Sequence, residues 1–128
     1  MRPSYENKSE VRFFAVMKDR SLTLYISNAS RYYTVVIINF RDVETERFWK
    51  TGNSRRIPAD VHIRALKKLF ILQAAVTLDN LRIPPGNRLE TLHGDRKGQY
   101  SIRINDQYRV CFVWRDGNAY DVEITDYH

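Results

Sequence analysis

The sequence predicts an α+β fold in which one strand and two helices precede an antiparallel meander, in the order β-α-α-β-β-β-β. Three observations carry this expectation. The run Val35 to Phe40 is short, apolar and β-branched, apolar residues recur at helical spacing from Val61 to Val76, and from Tyr100 onward they alternate with a period of two. A chain of 128 residues with 43% hydrophobic content builds one modest core rather than two.

The six residues Val35 to Phe40 read as a central strand, because a continuous β-branched run suits a strand buried on both faces. Asp42 is placed to cap a short helix. Glu44 and Glu46 fall in its first turn, where carboxylates suit the positive helix end, Phe48 and Trp49 form its buried side, and Gly52 supplies the stop. A basic loop, Asn53 to Arg56, leads to Pro58 at the start of the long helix. Val61, Ala65, Leu69, Leu72 and Val76 line its apolar face, with Leu66 and Phe70 beside them. The opposite face carries His62, Arg64, Lys67 and Lys68, either a solvated surface or an RNA-facing stripe. Thr77 to Leu81 adds one more turn before Ile83, Pro84, Pro85 and Gly86 end helical structure.

A strand over Arg88 to Leu92 comes next, then a loop from Gly94 to Gly98. Three strands follow, with apolar faces Tyr100, Ile102 and Ile104, then Tyr108, Val110, Phe112 and Trp114, then Tyr120, Val122 and Ile124. Asn105 and Asp106 mark the first turn of this meander. Asp116, Gly117 and Asn118 mark the second, since an Asp-Gly pair accepts the positive φ values of a tight hairpin. The pattern is complete without residues 1–34, so the expected organisation is an N-terminal extension, 1–34, and a domain, 35–128. Within the extension, Val11 to Met17 and Ser21 to Ile26 form a hairpin around Asp19 and Arg20.

Twenty-one Lys and Arg residues against 15 Asp and Glu give a formal charge of +6 and a pI of about 9.6, which favours a polyanionic partner. The one cysteine, Cys111, sits in an apolar run and has no intrachain partner, so nothing requires an oxidising compartment. No apolar stretch reaches the roughly 20 residues of a membrane helix, and the N-terminus lacks a signal-peptide pattern. The expectation is a soluble, cytoplasmic protein with no membrane partner.

The polar side of the meander gathers chemistry. His93, Asp95, Arg96 and Lys97 share one loop, Arg103 and Arg109 lie on successive strands, and Asp126, Tyr127 and His128 close the chain. Arg109 points away from the apolar face of its own strand. Cleaving RNA without a metal requires a base for the 2′-hydroxyl, a cation for the crowded phosphorane and an acid for the departing 5′ oxygen. Histidine, arginine and a carboxylate supply these near neutral pH, while tyrosine stacks on an unpaired base. Each residue alone also fits a plain role: a frayed terminus, a loop histidine, a surface arginine.

In order and spacing, Pro84-Pro85-Gly86-Asn87-Arg88-Leu89, Leu92-His93-Gly94-Asp95-Arg96, the run Gln99 to Phe112 and the closing Asp126-Tyr127-His128 resemble the HigB branch of the RelE/ParE toxins. Ile38-Asn39-Phe40-Arg41-Asp42 is similar to the opening of such toxins, and the resemblance covers residues 35–128. It implies a RelE-like fold, with the N-terminal strand and two helices packed on a twisted antiparallel sheet. It also implies the toxin of a type II toxin-antitoxin system, a metal-independent endoribonuclease with no cofactor that cleaves mRNA in the ribosomal A site and inhibits growth. The implied partner is a HigA-type helix-turn-helix antitoxin, with operator DNA reached only through the antitoxin complex.

On matching positions the resemblance implies Arg109 as phosphate clamp, His128 with Asp126 as acid-base pair and Tyr127 as a base-stacking residue. Arg96, Lys97, Arg103, Lys67 and Lys68 would bind RNA. Where family members commonly read Leu-Lys-Gly-Asp, this chain reads Leu92-His93-Gly94-Asp95, which makes His93 a candidate general acid in place of a permanent cation. Glu90 stands where some relatives carry a catalytic histidine and receives no role. Relatives begin near Ile37, so residues 1–34 are expected to be an upstream misread with the natural start at Val35 or Val36, or else an extra hairpin on the sheet edge. ParE-like relatives with the same fold act on DNA gyrase, and a third class is an inactive antitoxin binder. The set Arg109, Asp126 and His128 favours the nuclease, since a pure binder does not need it.

Overall fold

The computed structural model describes residues 36–126 together with two strands, β1 (Phe13–Lys18) and β2 (Ser21–Ile26). These two pair antiparallel in a sheet of their own, with Phe13 opposite Ile26 and Lys18 opposite Ser21. Val11, the turn residues Asp19 and Arg20, Val35, and Tyr127 and His128 lie outside the described residues.

The rest follows the predicted order: α1 (Val43–Thr51), α2 (His62–Ala74), β3 (Glu90–Thr91), β4 (Tyr100–Arg103), β5 (Arg109–Arg115) and β6 (Asn118–Thr125). The last four strands form an antiparallel sheet in sequence order. One face of the sheet buries Ile102, Val110, Phe112, Val122 and Ile124 against Phe48 of α1 and Ala65, Leu66, Leu69 and Leu72 of α2. Leu69 is wholly buried. Leu69→Ala is expected to cost about 2–5 kcal/mol, from lost transfer energy plus the cavity left behind, and urea unfolding would measure it.

The expected central strand is instead an edge segment. Residues 36–40 run parallel to β6 and touch it through bridges at Ile37–Ala119 and Phe40–Val122. Ile38 is half exposed, so the run is not buried on both faces. Between the two bridges the Asn39 side-chain amide exchanges bonds of 2.9 Å with the Asp121 carboxylate and the Asp121 N–H. The Ile37 N–H faces away from β6 and is accepted by the buried Gln73 Oε1 of α2 at 3.0 Å. Past this segment the edge of β6 is closed by α1, because the Ile124 N–H donates to the buried Thr45 Oγ1 at 3.1 Å.

Asp42 sits at the N-cap of α1, but it makes no capping hydrogen bond and is paired with Arg56 at 2.8 Å. Glu44 reaches beyond its helix to accept from Ser54 Oγ at 3.1 Å and from the Arg55 N–H at 3.2 Å, which ties down the basic loop. Gly52 closes α1 at φ 77°, a conformation that glycine adopts without cost, and donates to the Phe48 carbonyl at 2.7 Å. A short 3-10 turn, 59–61, separates Pro58 from α2, and α2 ends at Ala74. Val76, expected on its apolar face, therefore lies outside the helix and is exposed. The additional turn forms at 78–82, opened by a reciprocal cap between Thr77 and Asn80.

Of the expected strand Arg88 to Leu92, only Glu90–Thr91 pairs with β4. In the meander Asp116 and Gly117 both take positive φ, 51° and 76°, as the Asp-Gly turn requires. The alternation slips once in β6. Register shifts between Cys111 and Val113, with Asp121 at φ 52°, so Ala119 rather than Tyr120 joins Val122 and Ile124 in the core. Tyr120 instead packs under the Arg115 guanidinium, 4.4 Å from its ring centroid. Among the described residues no helix is long and apolar enough to cross a membrane.

Candidate functional site

The face of the sheet turned away from the main core carries the polar residues of interest. Cross-strand register places Arg103, Arg109 and Thr125 in one row and Ser101, Cys111 and Glu123 in the next, with Glu90 opposite Ser101. Strand alternation puts these on one side because their neighbours Ile102, Val110 and Ile124 take the other.

Arg109 is held from two directions. Its Nε donates to Ser101 Oγ at 2.7 Å, its Nη2 donates to the Arg88 carbonyl, and the Glu90 carboxylate lies 3.4 Å from the same nitrogen. Ser101 is wholly buried, so it is a fixed acceptor. The Arg109 side chain is 15% exposed, and among the described residues nothing engages its Nη1 edge. A guanidinium with its plane fixed and one edge open suits a tetrahedral oxyanion, since its ordering entropy is already lost before an anion arrives. Glu90, which the sequence left without a role, is the carboxylate that pairs with it among the described residues.

Asp126 follows Thr125, the cross-strand partner of Arg109, and is exposed, its carboxylate accepting from Gln107 Nε2 at 2.9 Å. Tyr127 and His128 lie outside the described residues. The imidazole of His93 is exposed in the loop between β3 and β4 and makes no hydrogen bond to Arg109 or Asp126.

The five residues expected to bind RNA do not form one surface. Arg96 is turned onto the sheet, where it bonds Gln99 at 3.0 Å and Glu123 at 3.1 Å with only 22% of its side chain exposed. Lys97, next to it, is exposed. Lys67, Lys68 and Arg103 do cluster: Arg103 and Lys67 both act on the Lys68 ammonium. Arg88 and Arg64 join them, since both act with Arg103 on Asp106, whose carboxyl is held below its usual range first by the Arg103 hydrogen bond. Sequence reasoning missed Arg88 by assigning it to a strand; it is an exposed turn residue at φ 45°. Lys68, expected to face RNA, bonds Asn87 instead. His62, from the same helix face, donates from Nε2 to the Ile57 carbonyl, 2.7 Å away, and its ring meets that of Phe48 at a tilt with centroids 5.1 Å apart, which is a packing role.

Cys111 is buried beneath this outer face, and burial pushes its thiol up to about 11. It is therefore protonated near neutral pH and is no nucleophile. Among the described residues no group of His, Cys, Asp and Glu side chains is arranged to hold a metal ion.

A family model described as the RelE-like toxin of the type II toxin-antitoxin system HigB matches residues 38–128. The chain is 46% identical over 83 residues to Toxin HigB-1 of Vibrio cholerae, an overlap of 64% of this chain and 87% of that protein. It is 34% identical over 82 residues to an uncharacterized protein of Haemophilus influenzae, covering 63% of this chain and 81% of the relative. It is also 27% identical over 93 residues, 73% of this chain, to the full length (100%) of a Proteus vulgaris protein named Endoribonuclease HigB. With the fold in agreement and the match spanning the helices and the whole sheet, the chain belongs to the HigB-like family of RelE-like toxins of type II toxin-antitoxin systems, and an antitoxin is its cognate partner.

Proposed function

We propose that this toxin is an endoribonuclease that cleaves mRNA in the ribosomal A site, halting translation in the cytoplasm. The observation that carries the reading is Arg109. Its guanidinium is locked by Ser101 and the Arg88 carbonyl, open on its Nη1 edge among the described residues, and opposite the end of β6, where the chain passes from Thr125 into Asp126. The name carried by the Proteus vulgaris relative supports the same reaction.

In this mechanism a base removes the 2′-hydroxyl proton, the 2′ oxygen attacks phosphorus, and the 5′ oxygen leaves with a proton from an acid. Arg109 neutralises the phosphorane, His128 and Asp126 serve as the acid-base pair, and Tyr127 stacks on the adjacent base. His93, exposed and with no side-chain partner among the described residues, is available as a second proton donor. Lys67, Arg103, Arg88 and Arg64 supply a cationic surface for RNA, with Lys97 outside that cluster and Arg96 committed to Glu123. The proposed antitoxin is a HigA-type helix-turn-helix protein that alone contacts operator DNA.

Mapping transcript 5′ ends after induction, with and without a translation inhibitor, tests the reading. New ends within coding regions that vanish when translation stops are the expected result. Induction that provokes DNA damage and leaves transcripts intact would instead mark a gyrase poison.

A further inference from the structure

Arg88, whose carbonyl accepts from Arg109, is a non-glycine residue in the left-handed region, at φ 45° and ψ 60°. That conformation is sterically unfavourable for an L-residue and persists only where its surroundings over-determine it. The strain is useful, because relaxing Arg88 to an extended conformation rotates its carbonyl away and removes one of the acceptors that fix the guanidinium plane.

What holds Arg88 in place is its neighbour. Asn87 is wholly buried; its Nδ2 donates to the carbonyls of Leu81 at 3.1 Å and Ile83 at 3.2 Å, and its Oδ1 accepts from Lys68 Nζ. Backbone bonds from Asn87 to Pro84 at 2.9 Å and from Arg88 to Pro85 at 3.1 Å complete the turn. Lys68 belongs to α2, whose Leu66, Leu69 and Leu72 anchor it in the core. Its ammonium is partly withdrawn from water and aimed inward, and burial lowers its pKa, helped by Arg103 and Lys67. A lysine that meets phosphate would keep its head in solvent.

We propose that Lys68 and Asn87 are positioning residues for Arg109, acting through the strained Arg88 turn, and that Lys68 is not an RNA contact; the kinetic consequence of this rests on the nuclease reading above. The α2 helix, the 84–88 loop and β5 are then joined by one path of hydrogen bonds, Lys68 to Asn87 and the Arg88 carbonyl to Arg109, with Ser101 as the second fixed point.

The test uses the full chain as wild type, Lys68→Met, Asn87→Asp and Arg109→Ala. Lys68→Met keeps the aliphatic stem and removes the ammonium. Asn87→Asp keeps the volume and the acceptor for Lys68 but loses both N–H donors. Cleavage of a defined mRNA on programmed ribosomes gives kcat and KM, and binding to the same ribosomes is followed across a range of salt. The Nε–H resonance of Arg109, bonded to Ser101 in the wild type, reports the clamp directly by 15N NMR.

Lys68→Met and Asn87→Asp are expected to lower kcat roughly 10- to 100-fold through misplacement of the cation, with KM and the salt slope as in the wild type. The Arg109 Nε–H signal should shift and exchange faster in both. Weaker ribosome binding for Lys68→Met, with a salt slope smaller by about 1, kcat held and the resonance unmoved, would make Lys68 a phosphate contact and overturn the proposal. If the wild type cleaves no RNA, the nuclease reading falls, and the resonance alone decides: displaced in Lys68→Met it supports the positioning role, unmoved it overturns it.

Discussion

Arg109→Ala should slow mRNA cleavage by about 30- to 1000-fold, corresponding to the roughly 2–4 kcal/mol typical of losing a preorganised transition-state donor. The effect is large because the arginine is already oriented in the free protein. Its Nε and Nη2 are occupied by Ser101 and the Arg88 carbonyl, so little reorganisation remains when negative charge builds on the phosphorane. Lysine does not rescue it, since an ammonium is a point charge without the planar donor fork. The side chain lies on the face opposite the main cluster, so its removal leaves the apolar core untouched. Single-turnover cleavage beside a thermal melt separates a catalytic loss from a fold defect: activity falls while the melting temperature moves by a few degrees. Cleavage within threefold of wild type would remove Arg109 from the mechanism.

Removing the last three residues, or replacing His128 by alanine alone, should abolish growth inhibition. Loss of a general acid or base costs about 10²- to 10⁴-fold, below what halts translation in a cell. Folding should survive, because among the described residues the last one in the core is Ile124 and Asp126 is already exposed. Circular dichroism and co-purification with the antitoxin check that survival, and viable-cell counts after induction give the toxicity. A truncated protein as toxic as the full chain would sink the terminal acid-base pair.

Much of the fold was legible because its signals are local. The alternation of Ile102, Val110 and Phe112 and the helical recurrence of Ala65, Leu69 and Leu72 are written along single elements, and all six residues are in the core. The departures come from partners distant in sequence. A β-branched run looks the same in a central strand as in one that leans on a helix, and only the Gln73 and Asn39 bonds place residues 36–40 at the edge. The phase slip at Tyr120 depends on Asp121 being an extra residue against β5, a two-to-one match that no single strand records.

The site divides in the same way. That Arg109 faces away from the core follows from the alternation of its own strand. That Arg96 bonds Glu123 and Lys68 bonds Asn87 depends on residues 27 and 19 positions away, which basic character alone does not reveal. Glu90 and Arg88 gained meaning only when the fold set them against Arg109.

The central claim is that the Arg109 guanidinium and the terminal imidazole act on one phosphodiester. A structure of the toxin bound to ribosomes carrying an mRNA with a 2′-O-methyl group at the cleavage position tests it most directly, because that substrate binds but cannot react. The account predicts both groups within hydrogen-bond reach of the same phosphate, about 3 Å. Finding them on opposite surfaces, or the His128 ring packed into the core, would contradict it.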